Sequence, residues 1–178
     1  MAKFVALLRA INVGGRSKLP MAGLRALCGK LGWKDVATYI QSGNLVFEAS
    51  GSAASLEANL EKALGEEFGF TPAVMVRSVP DWKALAQANP FPKESGKEPN
   101  RVLVGISKAK PKAGAAEALE ARAAAGERVR EAGGALWFHY PAGVGTSKLT
   151  PSLIDRLAGS PVTARNWRTL LKLCEMLE

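Results

Sequence analysis

An apolar run of strand length, Phe4 to Ile11, broken only by Arg9, leads straight into Asn12-Val13-Gly14-Gly15-Arg16-Ser17-Lys18-Leu19-Pro20. Paired glycines supply the positive-φ backbone of a tight turn, so the strand ends there. Pro20 suits a first helical position, where its missing N–H costs nothing. Met21, Leu24, Leu27, Cys28 and Leu31 then recur at helical spacing as far as Gly32. The chain is thereby committed to a strand, a glycine turn and a helix from its first residues. A looser copy, Gly143-Val144-Gly145-Thr146-Ser147-Lys148-Leu149-Thr150-Pro151, again stands between a strand-like run and a helix-like one.

Downstream of the first helix, Val36 to Gln41 and Leu45 to Ala49 are β-rich segments around Ser42-Gly43-Asn44, a hairpin pattern. Leu56, Leu60, Leu64 and Phe68 mark one face of a second helix ended by Gly69, and Ala73 to Ser78 supplies another strand. The order β-α-β-β-α-β predicts an α+β, ferredoxin-like sandwich, with helices on one side of an antiparallel sheet. From Pro80 to Pro99 the composition shifts toward Pro, Lys, Glu and Asn, with a short helix at Asp81 to Ala88. A division into a ferredoxin-like subdomain at 1–90 and a smaller α+β subdomain at 91–178 is expected. In the second part the pattern gives a strand at Arg101 to Ile106 and a helix over Ala113 to Ala125. A hairpin of Glu127–Glu131 with Ala135–Tyr140 follows around Gly133-Gly134. Thr150-Pro151 opens a short helix, and Thr163 caps a last one that buries Trp167, Leu170, Leu171, Cys174 and Leu177.

No apolar run approaches the length of a membrane span, and Met1-Ala2-Lys3-Phe4 enters a strand without a signal-peptide layout. A cytoplasmic protein with no membrane association is expected. Cys28 and Cys174 fall on apolar helix stripes and have no ligand-spaced neighbours, so neither a metal site nor any cofactor is expected. Net charge is +8, spread over both halves. That excess favours polyanionic partners, nucleic acid or a phosphorylated small molecule, and serves solubility equally well.

Three groups of residues carry the candidate chemistry. In the first turn, Gly14, Gly15 and Ser17 at a helix start beside Arg9, Arg16 and Lys18 are the means to hold phosphate, although the loop lacks the Walker spacing. The bland alternative is a glycine turn serving only geometry. Ser147 and Lys148 repeat the Ser-Lys pair, and both serines read equally as helix caps. Arg165 and Arg168 share a face of the last helix with Lys172, and Asn166 stands near its start. If Gly133-Gly134 forms a two-residue turn, Arg130 faces Trp137 and Arg128 faces His139, a surface able to stack bases or to serve as plain cross-strand packing. His139 is the one histidine and the acidic residues are scattered, so no catalytic residue is assigned.

Leu7-Leu8-Arg9-Ala10-Ile11-Asn12-Val13-Gly14-Gly15, Tyr39-Ile40-Gln41-Ser42-Gly43-Asn44, Asn89-Pro90-Phe91-Pro92, Ser147-Lys148-Leu149 and Thr163-Ala164-Arg165-Asn166-Trp167-Arg168-Thr169 resemble, in order, a bacterial domain-of-unknown-function family. The resemblance implies a ferredoxin-like first subdomain and a second α+β subdomain, and no established activity. Ala10 stands where that family usually has Gly, and Thr146 where a basic residue is common.

Two readings of function follow. One is a non-catalytic protein binding a phosphorylated ligand, nucleic acid first among them, through both Ser-Lys turns and the basic last helix. The other is an enzyme or sensor for a nucleotide-sized metabolite held between the subdomains, with Asn12, Gln41 and Asn44 orienting it. A purely structural, partner-binding domain predicts no anion affinity.

Overall fold

The computed structural model describes residues 1–178. Two compact units divide the chain, Met1–Trp82 with Leu173–Glu178, and Lys83–Lys172. The first holds β1 (Ala2–Leu8), α1 (Met21–Lys30), β2 (Lys34–Tyr39), β3 (Asn44–Ala49), α2 (Ala53–Phe68) and β4 (Val74–Ser78). Its antiparallel sheet has the order β2-β3-β1-β4, the ferredoxin-like arrangement that the element order predicts. Residues Phe4 to Leu8 are all buried, which is why β1 reads as an unbroken apolar run and not as an alternating one. Phe4, Ala6 and Leu8 meet Leu24, Leu27 and Cys28 of α1 and Leu56, Leu60 and Leu64 of α2 in one core, where Trp33 stacks on Phe47 with ring centroids 4.0 Å apart. Helix α2 begins on a capping box of Ser52 and Ser55 and stops at Gly69, whose φ of 77° lets the chain leave the helix.

Burial pushes the Cys28 thiol up from 9.0 to about 12. The folded chain holds this proton more tightly than the unfolded one, so the contribution is complete below pH 9 and is lost as pH rises toward 12. Between pH 9 and 11 the unfolding midpoint of the wild type is expected to fall more steeply than that of Cys28→Ala, as read by thermal unfolding. Parallel slopes would show that the thiol does not titrate with unfolding.

After β4 come α3 (Val79–Gln87), α4 (Pro92–Lys97) and a single 3-10 turn, Pro99–Arg101. The second unit then runs β5 (Val102–Ser107), α5 (Ala115–Glu120), β6 (Arg128–Ala132), β7 (Ala135–His139), α6 (Pro151–Ala158) and β8 (Val162–Asn166), and α7 (Trp167–Met176) follows. Its sheet order is β6-β7-β5-β8. Position for position this repeats the first unit, so the fold is two β-α-β-β-α-β sandwiches in tandem. Sequence reading misses the repeat because it misses β8. Val162 and Thr163 are β-branched and follow the breakers Gly159-Ser160-Pro161, yet the apolar stripe of the last helix drew the helix start back to Thr163. Thr163 is instead a buried strand residue, and α7 begins at Trp167 with Asn166 Oδ1 accepting from the Thr169 N–H at 2.9 Å. The buried side of α7 is Thr169, Leu170 and Leu173, with Leu177 buried just beyond its end, while Leu171 is exposed.

Helix α5 is also shorter than the alanine-rich stretch predicts. Beyond Glu120 the backbone turns, and the Ala125 N–H donates to the buried Glu127 carboxylate at 2.7 Å. Propensity extends a helix only while tertiary contacts favour it.

The tandem repeat also shows that the two glycine turns are not counterparts. The first follows the first strand of its unit, and the second follows β7, the third strand of its own. First and third strands are antiparallel neighbours, so their exits lie at opposite ends of a sheet.

Candidate functional site

The first glycine turn does not open a helix. Asn12 N–H donates to Ser17 C=O and Arg16 N–H to Val13 C=O, each at 3.0 Å, with Val13 and Arg16 paired as a β-bridge. Gly14 and Gly15 take φ of 58° and 72°, the two-residue turn that matches strand twist. Residues 12–17 are thus a miniature hairpin. Helix α1 starts only at Met21, with Pro20 as its N-cap, so the expectation that the glycines line a helix N-terminus is corrected.

Asn12 ties the hairpin down. Its amide nitrogen donates to Leu19 C=O at 3.0 Å and Gln41 C=O at 2.8 Å, while its oxygen accepts from Leu19 N–H at 2.7 Å. Leu19 below it is fully buried. Asn44, also fully buried, donates to Tyr39 C=O at 2.9 Å and Ser42 Oγ at 3.0 Å. These two side chains therefore brace the loops. Among the polar groups assigned to this corner, Arg16, Lys18 and Gln41 are exposed, and Arg9 and Ser17 are half-buried.

Backbone strain is concentrated here. Five non-glycine residues in the chain have positive φ, and four of them, Ala10 (54°), Asn12 (54°), Ser17 (50°) and Ile40 (51°), lie in the two loops that Asn12 joins. A β-branched residue in that region is a genuine outlier, and such strain gathers at functional corners. Ile40 and Val13 are also exposed, at 52% and 62%. No Asp or Glu occurs in 9–20 or 39–44. The corner is consequently strained, partly apolar and basic, with no carboxylate in its own two stretches. Val13 and Ile40 escaped sequence reading. The available signal was Ala10, which stands where the resemblance implies Gly and needs the backbone that Gly adopts freely.

The second turn is built differently. Ser147 donates its hydroxyl to Glu127 Oε2 at 3.0 Å and accepts from the Leu149 N–H at 3.1 Å. Glu127 is buried, and burial together with this carboxylate holds the Tyr140 phenol above its usual range. The Glu127 side chain thus engages Ser147, while Lys148 is exposed on the loop surface. Thr150 caps α6 through the Leu153 N–H, with Pro151 at the first helical position as expected.

The proposed basic helix face is corrected too. Arg165 lies on β8, 8% exposed, donating to Thr163 Oγ1 at 2.6 Å and Ala164 C=O at 3.0 Å, and burial pulls it down to about 10. It cannot share a helix face with Arg168 and Lys172. The register expected from a two-residue Gly133-Gly134 turn is observed, Arg128 opposite His139 and Arg130 opposite Trp137. The stacking surface is absent, because Trp137 is fully buried with its indole N–H on Ala132 C=O at 3.1 Å. Arg128 sits over the Phe91 ring at 5.1 Å, and His139 lies 3.7 Å from Glu98.

No three His, Cys, Asp or Glu residues are grouped to hold a metal ion, and no helix is long and apolar enough to cross a membrane. No curated protein matches the sequence. Among solved structures, the conserved bacterial protein SP0830 from Streptococcus pneumoniae shares this fold at 23% identity and a TM-score of 0.73, over 99% of this chain and 98% of that one. The match to the family described as "protein of unknown function (DUF1697)" runs over residues 1–137, from β1 into β7, and the chain belongs to that family.

Proposed function

We propose that this protein binds a phosphorylated ligand, nucleic acid first among the candidates, through the strained corner formed by residues 9–18 and 40–44. The observation that carries the reading is the coincidence, on loops joined by Asn12, of four left-handed non-glycine residues with three cations and no carboxylate. Phosphate contacts need accessible cations, which Arg16 and Lys18 supply, and exposed Val13 and Ile40 offer apolar surface for a base. The net charge of +8 favours long-range attraction of a polyanion. The Lys148 turn contributes little in this reading, because Glu127 lies behind it.

The test is fluorescence anisotropy of a labelled 12-nucleotide single-stranded RNA at about 50 and 200 mM salt. Three phosphate contacts on a single strand imply that affinity falls roughly twentyfold across that range. Arg16→Ala with Lys18→Ala is expected to weaken binding and flatten the salt dependence, whereas Lys148→Ala leaves both unchanged. Equal effects of the two sets, or binding indifferent to salt, would overturn the assignment.

A further inference from the structure

Sheet edges expose unpaired backbone groups and act as templates for another chain unless blocked. The four edges here are β2, β4, β6 and β8. Three are closed by one recurring device. On β4, Val76 N–H donates to Glu57 Oε1 at 2.9 Å, and Val76 C=O accepts from Arg77 Nη1 at 2.9 Å. On β6, Val129 N–H donates to Glu120 Oε1 at 3.0 Å, and Val129 C=O accepts from Arg130 Nη1 at 2.8 Å. On β8, Val162 N–H donates to Asp155 Oδ1 at 2.9 Å, and Ala164 C=O accepts from Arg165 Nη1 at 3.0 Å. In each case a helix carboxylate takes an outward N–H and an arginine of the strand covers an outward carbonyl.

The fourth edge is built differently. Leu8 N–H bonds to Gly43 C=O at 2.9 Å, which fixes the phase of β3: Leu45 and Phe47 turn toward β1, and Asn44 and Val46 toward β2. Their partners Tyr39 and Ala37 therefore bond inward, and Thr38 between them turns its N–H and C=O outward. Arg25 of α1 reaches this point, donating Nη1 to Thr38 Oγ1 at 2.6 Å. Helix α1 has no Asp or Glu, so no carboxylate from it meets the edge. A bulge between Lys34 and Ala37 and the left-handed Ile40 bound the straight stretch, leaving room for a few extended residues. Self-pairing of two copies at Thr38 would bring two Arg25 side chains together, which disfavours a second copy as occupant.

We propose that the Thr38 edge of β2 binds an extended acidic segment of a partner protein by strand addition. The added strand exchanges main-chain hydrogen bonds with Thr38, and a carboxylate on its α1-facing side pairs with the Arg25 guanidinium. Val36 packs toward the helix-side core and Thr38 toward Arg25, so alternate residues of the segment, those on that face, are the acidic ones. This inference does not rest on the nucleic-acid reading, whose readouts concern Arg16 and Lys18.

The probe is the peptide acetyl-Glu-Val-Glu-Val-Glu-Val-amide, titrated into ¹⁵N-labelled full-length protein, with its Lys-Val counterpart as comparison. Saturable shifts centred on the Thr38 amide, slower exchange of that amide, and binding of the Lys peptide weaker by at least about tenfold are expected. Thr38→Pro removes the outward N–H while sparing the ladder made by Ala37 and Tyr39, and proline is tolerated at such an edge position. It abolishes binding. Arg25→Glu keeps the backbone intact and reverses the preference to the Lys peptide. No saturable shift at Thr38 with millimolar peptide would overturn the proposal, as would shifts at β4, β6 or β8, or unchanged binding by both variants. Protection of Thr38 that rises with protein concentration alone would overturn it in favour of self-association.

Discussion

Gly43→Ala destabilises the protein by about 3 kcal/mol, combining a left-handed backbone that alanine resists with overpacking of a closed site. A Cβ at Gly43, φ 85°, would stand 2.7 Å from Ile11 Cδ1 and 2.9 Å from Leu8 Cβ. Leu8 Cβ is fixed to a fully buried strand residue whose N–H bonds to the Gly43 carbonyl, so it cannot move aside without breaking the sheet end. Gly14→Ala is the comparison. Its φ of 58° carries the same backbone penalty, yet nothing lies within 4 Å of the added Cβ. It costs about 1 kcal/mol. Urea unfolding at constant m reads the difference directly. Equal midpoints for the two variants would mean that the Ser42–Asn44 turn is not packed against Leu8 and Ile11 as described.

Asn12→Ala is the second large effect, also about 3 kcal/mol. Three hydrogen bonds disappear, the N–H of buried Leu19 loses its acceptor, and alanine must hold φ 54°. Asn12→Gly relieves the backbone but not the lost bonds, so it recovers roughly 1 kcal/mol of that deficit. The order wild type, Asn12→Gly, Asn12→Ala separates the two causes, again by urea unfolding. Equal stability of the two variants would remove backbone strain from the account. Because Asn12 positions the hairpin bearing Arg16 and Lys18, Asn12→Gly also weakens RNA binding without deleting a cation.

Much of the first sandwich was legible because its signals agree at every level. The apolar run of β1, the capped stripe of α2 and the Ser-Gly-Asn turn each point to the same topology. The second sandwich was half legible. Gly133-Gly134 set the hairpin register, but the five residues of β8 carry Arg165 at an inward position, and a charged residue there reads as surface. Its burial depends on Thr163 Oγ1 and the Ala164 carbonyl, partners that only the folded strand supplies. The candidate site was legible as a list of cations and not as geometry. Spacing cannot show that Asn12 bridges to the Gln41 carbonyl, or that Ser147 answers to a carboxylate twenty residues earlier. The identical Ser-Lys-Leu triplets in the two turns suggested equivalence, whereas the sheet topologies put them at different corners of their units.

The most direct measurement of the central claim is amide chemical-shift mapping of the ¹⁵N-labelled protein titrated with the 12-nucleotide RNA, at low salt. The account predicts that the largest shifts fall on residues 12–18 and 40–44 and saturate with the anisotropy isotherm, with little change at 143–150. Shifts led by residues 143–150, or spread over the lysine-bearing surface with no maximum at the first corner, would contradict it.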